Sequence, residues 1–171
     1  MRFVAMRDLH LSKKPWQVRK ALNMAKESDA VLLAGDLVND GKPEQFEEMY
    51  RCIEDILPDT PAFSALAHNP KRGDRQPYLS RDDQLQRIID AHRNIIFISG
   101  HTHVSMNSDV SCVERDKLRS NIYINDGSIR PTTVMRADGK VEQAPDTGNI
   151  VCIDIDKQQV RITPVPLVRQ C

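Results

Sequence analysis

Four short apolar runs in the first hundred residues each stop at an aspartate or a histidine, and helix-like stretches separate them. Arg2 to Met6 is followed by Arg7-Asp8-Leu9-His10, and Ala30 to Ala34 by Gly35-Asp36. Pro61 to Ala67 is followed by His68, and Asn94 to Ser99 by Gly100-His101-Thr102-His103. Between the first two runs, Val18, Ala21, Leu22 and Ala25 share one helical face, which predicts a helix from about Pro15 to Glu27. Pro43 suits a first helical turn. Phe46, Met49, Tyr50, Ile53, Ile56 and Leu57 then form a stripe that ends before Pro58. Ser80 and Asp83 resemble a capping box ahead of a third stripe at Leu85, Ile88 and Ile89. Alternation of this kind argues for parallel βαβ units.

The run from Asn94 to Ser99 is rich in isoleucine and reads as a strand buried on both faces. Gly100 lets the backbone turn sharply at its end, and in open α/β sheets ligands bind at the carboxyl ends of strands. The polar residues delivered to those ends are Asp8, His10, Asp36, His68, His101 and His103. They include four of the five histidines in the chain. An ordinary soluble domain has no reason to concentrate imidazoles there. Imidazole and carboxylate together suit Zn, Mn or Fe, and six such ligands exceed the needs of one tetrahedral ion. A pair of ions about 3.5–4 Å apart would use them. His92 lies on the third helical stripe and is assigned a structural role.

After His103 the pattern changes. Asn121 to Asn125, Thr132 to Arg136, Ile150 to Ile155 and Val160 to Val165 are strand-like, with turn chemistry at Asp126-Gly127, Asp138-Gly139 and Asp156-Lys157. This half is expected to be an antiparallel meander packed on the first, with residues 1–171 forming one domain. Formal net charge is zero and charged residues make up 28% of the chain, so neither a nucleic acid nor a membrane surface is an obligatory partner. No stretch is long and apolar enough to span a bilayer, and the start of the chain lacks a signal-peptide layout. The four scattered cysteines read as free thiols of a cytoplasmic protein.

Asp8-Leu9-His10, Gly35-Asp36 and Gly100-His101-Thr102-His103, in that order, resemble the calcineurin-like metallophosphoesterase family. That family's signature runs D-x-H, G-D, G-N-H-D/E, a lone His, then G-H-x-H. The flanks of Asp8 and Asp36 are similar to bacterial cyclic-nucleotide-phosphodiesterase-like members, and Asn125-Asp126-Gly127-Ser128 is similar to an N-x-G-S segment that often follows G-H-x-H. The resemblance implies a four-layer α/β/β/α sandwich and a centre of two divalent ions. Asp8, His10 and His103 would bind the first ion and Asp36 would bridge both. His101 and the lone His, matched by His68, would bind the second. It also implies hydrolysis of a phosphomonoester or phosphodiester by a metal-activated water, with a nucleotide among the candidate substrates.

Two departures from the pattern bear on activity. G-N-H-D/E is absent, and with it an Asn ligand and the His that helps expel the leaving group; no catalytic residue beyond the metal ligands is assigned. His68 fits two registers, the lone His or a degenerate G-N-H-D with Ala67 in place of Asn. The match of Ala67-His68-Asn69-Pro70 favours the lone His. Arg7 stands where a small residue, often Ser, is usual; its guanidinium could bind phosphate or oppose the second cation. The expected function is therefore a metal-dependent phosphoesterase weakened by the missing motif. The alternative is a non-catalytic protein-binding module of the same fold.

Overall fold

The structure is a computed structural model that describes residues 1–11, 15–38, 40–64, 87–100, 103, 105, 106, 108, 112–125, 128, 129, 132–144, 148–157 and 159–167. Its elements are β1 (Arg2–Met6), α1 (Pro15–Met24), β2 (Ala30–Leu33), α2 (Pro43–Ile56), β3 (Ala62–Ser64), β4 (Ile96–Ser99), β5 (Val113–Asp116), β6 (Asn121–Asn125), β7 (Thr132–Met135), β8 (Val141–Ala144), β9 (Gly148–Ile155) and β10 (Val160–Leu167). A further helical segment covers 87–90.

Strand alternation divides the interior into two cores. The first sheet has the order β10-β9-β1-β2-β3. Val4 and Met6 of β1, Val31 and Leu33 of β2 and Ile150 of β9 face α1 and α2. There they meet Val18, Ala21, Leu22 and Ala25, the stripe expected of α1, together with Met49, Ile53 and Ile56 of α2. Tyr50, counted in the α2 stripe, is exposed, and Cys52 is buried in that stretch instead. The opposite face of the same strands carries Phe3, Ala5, Leu32, Val151 and Ile153. These pack on Ile122 and Ile124 of β6 and on Ile96 and Ile98 of β4, in a second sheet ordered β4-β6-β5. Beyond that sheet, the Asn121 amide donates to the carbonyls of Ile89 and His92, at 3.3 Å each, tying the 87–90 segment to its outer side. The layers run helix, sheet, sheet, helix, and the protein is a mixed α/β fold.

Several details differ from the sequence expectation. β1, β2 and β3 are parallel neighbours, but β4 lies in the other sheet, where it pairs parallel with β6. It is an edge strand with intermediate exposure, not a strand buried on both faces. The fully buried central place belongs to β6, whose Asn121 and Asn125 hide that role from a hydropathy reading. The later half is antiparallel in β7–β8 and β9–β10, and β9 also pairs antiparallel with β1, so the end of the chain completes the first sheet. β5 and β8, with the sequences VERD and VEQA, carry too much charge and polarity to be read as strands. The Asp138-Gly139 turn joins β7 to β8, with Gly139 at φ 83° and its amide donating to the Arg136 carbonyl at 2.9 Å. His92, expected on the third helical stripe, lies just past the 87–90 segment and is exposed, its Nδ1 donating to the Ile88 carbonyl at 2.7 Å.

Candidate metal centre

Parallel pairing places Met6 opposite Leu33, and the Ala34 amide donates to the Met6 carbonyl at 3.0 Å. The segments after β1 and β2 therefore leave the sheet side by side. Both then bend in the same unusual way. Asp8 has φ 54°, His10 φ 39° and Asp36 φ 47°, and Gly35 before it has φ 85°. His103, beyond β4, has φ 51°. Only Asn94 and Ser120 share this left-handed conformation among the other described non-glycine residues. Each such residue costs roughly 1–3 kcal/mol, a cost that persists only where the surrounding structure imposes it, and such residues cluster at functional sites.

One ligand-type atom from each of Asp8, His10 and Asp36 lies within 4.8 Å of the other two. His103 lies beside the first of them, with Nε2 3.6 Å from Oδ2 of Asp8. Asp8 is 1% exposed. Among the described residues nothing donates a hydrogen bond to either of its oxygens. A buried carboxylate is costly unless cations face it, and Arg7 faces one of these oxygens at 3.6 Å. Two carboxylates and an imidazole within 4.8 Å of one another, with a second imidazole beside Asp8, are a donor set suited to a divalent transition metal. The residues present thus fit such an ion.

The surroundings hold this group rigidly. The His103 carbonyl accepts from the Thr133 amide at 2.8 Å and from the Thr133 hydroxyl at 3.2 Å, so β7 fixes the loop that carries the imidazole. The Ser105 amide returns to the Thr133 carbonyl at 2.7 Å. On the inner side lies Arg7, fully buried, its Nε 3.6 Å from the same Asp8 oxygen. Gly100 makes room for it: a Cβ there would stand 2.6 Å from Arg7 Cδ, 2.8 Å from Arg7 Nη1 and 2.9 Å from the Ala34 carbonyl oxygen. The tight approach of the three strand ends therefore requires glycine, in addition to the turn it was expected to provide.

Of the six residues singled out from sequence, Asp8, His10 and Asp36 lie together and His103 lies beside Asp8. His68 and His101 lie outside the described residues, as do Asn69, Asp126 and Gly127. Sequence reasoning missed Thr133 and the depth of Arg7. Thr133 acts through backbone pairing, which leaves no local signal. Arg7 did carry one, a cation directly after a buried strand.

No protein-family model matches the chain, and no curated protein does. Among solved structures it is similar to vacuolar protein sorting 29 from Cryptosporidium parvum, at 15% identity over 98% of each chain and a TM-score of 0.45. It is also similar to Yfce, a phosphoesterase from E. coli, at 16% identity over 95% of this chain and 98% of that one, with a TM-score of 0.42.

Proposed function

We propose that the chain is a metal-dependent phosphoesterase whose centre is built on Asp8, His10, Asp36 and His103, with His68 and His101 as its remaining ligands. The observation that supports this reading is the cluster of Asp8, His10 and Asp36 with His103 beside Asp8, all on left-handed backbone. Asp8, His10 and His103 would hold one divalent ion, of Mn, Fe or Zn, and Asp36 would reach between it and a second. Bound there, such ions supply Lewis acidity toward phosphoryl oxygens and a water nucleophile at neutral pH. The chain's own part is positional. Burial keeps Asp8 out of water, β7 fixes His103 through Thr133, and the strained loops aim the ligands without reorganisation. The reaction is hydrolysis of a phosphomonoester or phosphodiester, nucleotides included, with water adding to phosphorus and the alcohol departing with a proton.

Pairing of β1 with β9 supports a single domain over 1–171. Cys52, Cys112 and Cys152 are free thiols, which supports a cytoplasmic setting. No helix among the described residues is long and apolar enough to cross a membrane. The test is hydrolysis of bis-p-nitrophenyl phosphate and p-nitrophenyl phosphate by metal-stripped protein, with and without Mn²⁺. Mn²⁺-dependent turnover lost in Asp36→Asn supports the proposal. A chain that binds Mn²⁺ without hydrolysing either ester is the non-catalytic alternative.

A further inference from the structure

At the end of the sandwich where β4 and β6 begin and β9 stops, a cleft of about 730 Å³ opens between the two sheets. The candidate metal centre lies at the other end, beyond the last residues of β1, β2 and β4. Ile96 of β4, Ile122 of β6, Ile155 of β9 and Val160 of β10 line the cleft, and all four belong to the second core. That core is therefore open to ligand at this end, with a volume typical of small-molecule sites. Among the described residues no aromatic side chain lines it. A planar ring finds no stacking partner there, whereas an aliphatic chain finds branched aliphatic walls. Asn94 and Ser120, the two left-handed non-glycine residues away from the metal centre, both stand on its rim.

The rim also carries two cations. Arg115 of β5 and Lys157 of the β9–β10 turn line the cleft, and both are exposed. Arg115 donates from Nη2 to the Val160 carbonyl at 3.2 Å, which leaves most of its five donors for a ligand. Among the described residues neither cation is paired with a carboxylate. The Asp156 carboxylate, on the same rim, accepts from the Gln159 amide at 2.8 Å and closes the turn. Apolar walls beneath two unpaired cations match an aliphatic chain that ends in an anion. We infer that this cleft binds a fatty-acid-like carboxylate, its chain between the sheets and its head group at Arg115 and Lys157. Burial of the chain supplies most of the affinity, about fourfold for each methylene removed from water. The cations select the sign of the head group.

The experiment is isothermal titration calorimetry of the full chain, with no metal added, against dodecanoate below its micelle concentration. Decanoate and dodecyltrimethylammonium are the comparison ligands, and the double variant Arg115→Gln, Lys157→Gln is the comparison protein. Both substitutions fall on exposed side chains, so the variant is expected to fold as the wild type does. One dodecanoate per chain is expected, bound less tightly as NaCl is raised. Decanoate should bind at least about fourfold more weakly. Dodecyltrimethylammonium on the wild type, and dodecanoate on the double variant, should each bind at least about tenfold more weakly. Absence of dodecanoate binding overturns the inference, as do several equivalent sites per chain. Equal affinity for the cationic amphiphile, or undiminished binding by the double variant, does the same.

Discussion

His103 Nε2 and Asp8 Oδ2 stand 3.6 Å apart, although one belongs to the loop beyond β4 in the second sheet and the other follows β1 in the first. The site therefore forms on the seam between the two sheets, and ligand geometry depends on how they dock. His103 is 35% exposed on its side chain, so it adds little to packing. His103→Ala should weaken Mn²⁺ binding by at least about 10- to 100-fold, the range in which even outer-shell partners of a metal act. Unfolding free energy should change by less than about 0.5 kcal/mol. Dialysis and urea denaturation of the metal-free protein check the two parts.

Backbone strain gives a different test. His10 sits at φ 39°, where glycine is at ease and other residues are not. His10→Ala and His10→Gly both remove the imidazole. The glycine variant should nevertheless be at least as stable as the alanine variant, by up to about 1 kcal/mol, since it escapes the left-handed penalty. Both should bind Mn²⁺ equally poorly. An alanine variant clearly more stable than the glycine one would show that the backbone there relaxes freely.

Activity should depend strongly on the leaving group. The sequence lacks the segment that resembling enzymes use to assist departure, and loss of a general acid typically costs about 10²- to 10⁴-fold. A nitrophenolate leaves with little protonation, whereas an alkoxide does not. Nitrophenyl diesters should therefore be cleaved far faster than alkyl diesters under the same Mn²⁺ concentration. Similar, high rates for both would mean that another residue supplies the proton.

Acid stability has a defined contributor away from the site. Asp116 accepts from the Leu118 amide at 2.8 Å, the Arg119 amide at 3.3 Å and the Arg119 guanidinium at 3.2 Å, closing the turn between β5 and β6. Chiefly through the Leu118 amide, these bonds hold its carboxyl below the ordinary value of 3.8. The folded chain thus binds that proton less readily than the unfolded chain. Its stabilising effect is complete above about pH 4 and is lost as pH falls through the depressed folded value. Asp116→Asn should lower stability at pH 7 and flatten the acid limb of a plot of stability against pH. Unchanged acid sensitivity in the variant would remove Asp116 from the account.

Much of this was legible from residue order. The α1 stripe, the span of β6 and the delivery of Asp8, His10 and Asp36 at strand ends follow from periodicity and from what stands after each apolar run. Sheet membership was less accessible. Hydropathy reports that β4 is apolar, but not that it borders the second sheet while β6, begun and ended by asparagine, fills its centre. Left-handed backbone at Asp8, His10, Asp36 and His103 was invisible, because it is imposed by tertiary contacts against the preference of those residues. The burial of Arg7 depends on Gly100, which arrives from a distant part of the chain.

Crystals of the chain soaked in Zn²⁺ and measured for anomalous scattering at the zinc edge test the central claim most directly. A peak within about 2.0–2.2 Å of Asp8, His10 and His103 ligand atoms is the predicted result. A zinc peak elsewhere with none at these residues, or no peak at saturating Zn²⁺, would contradict it.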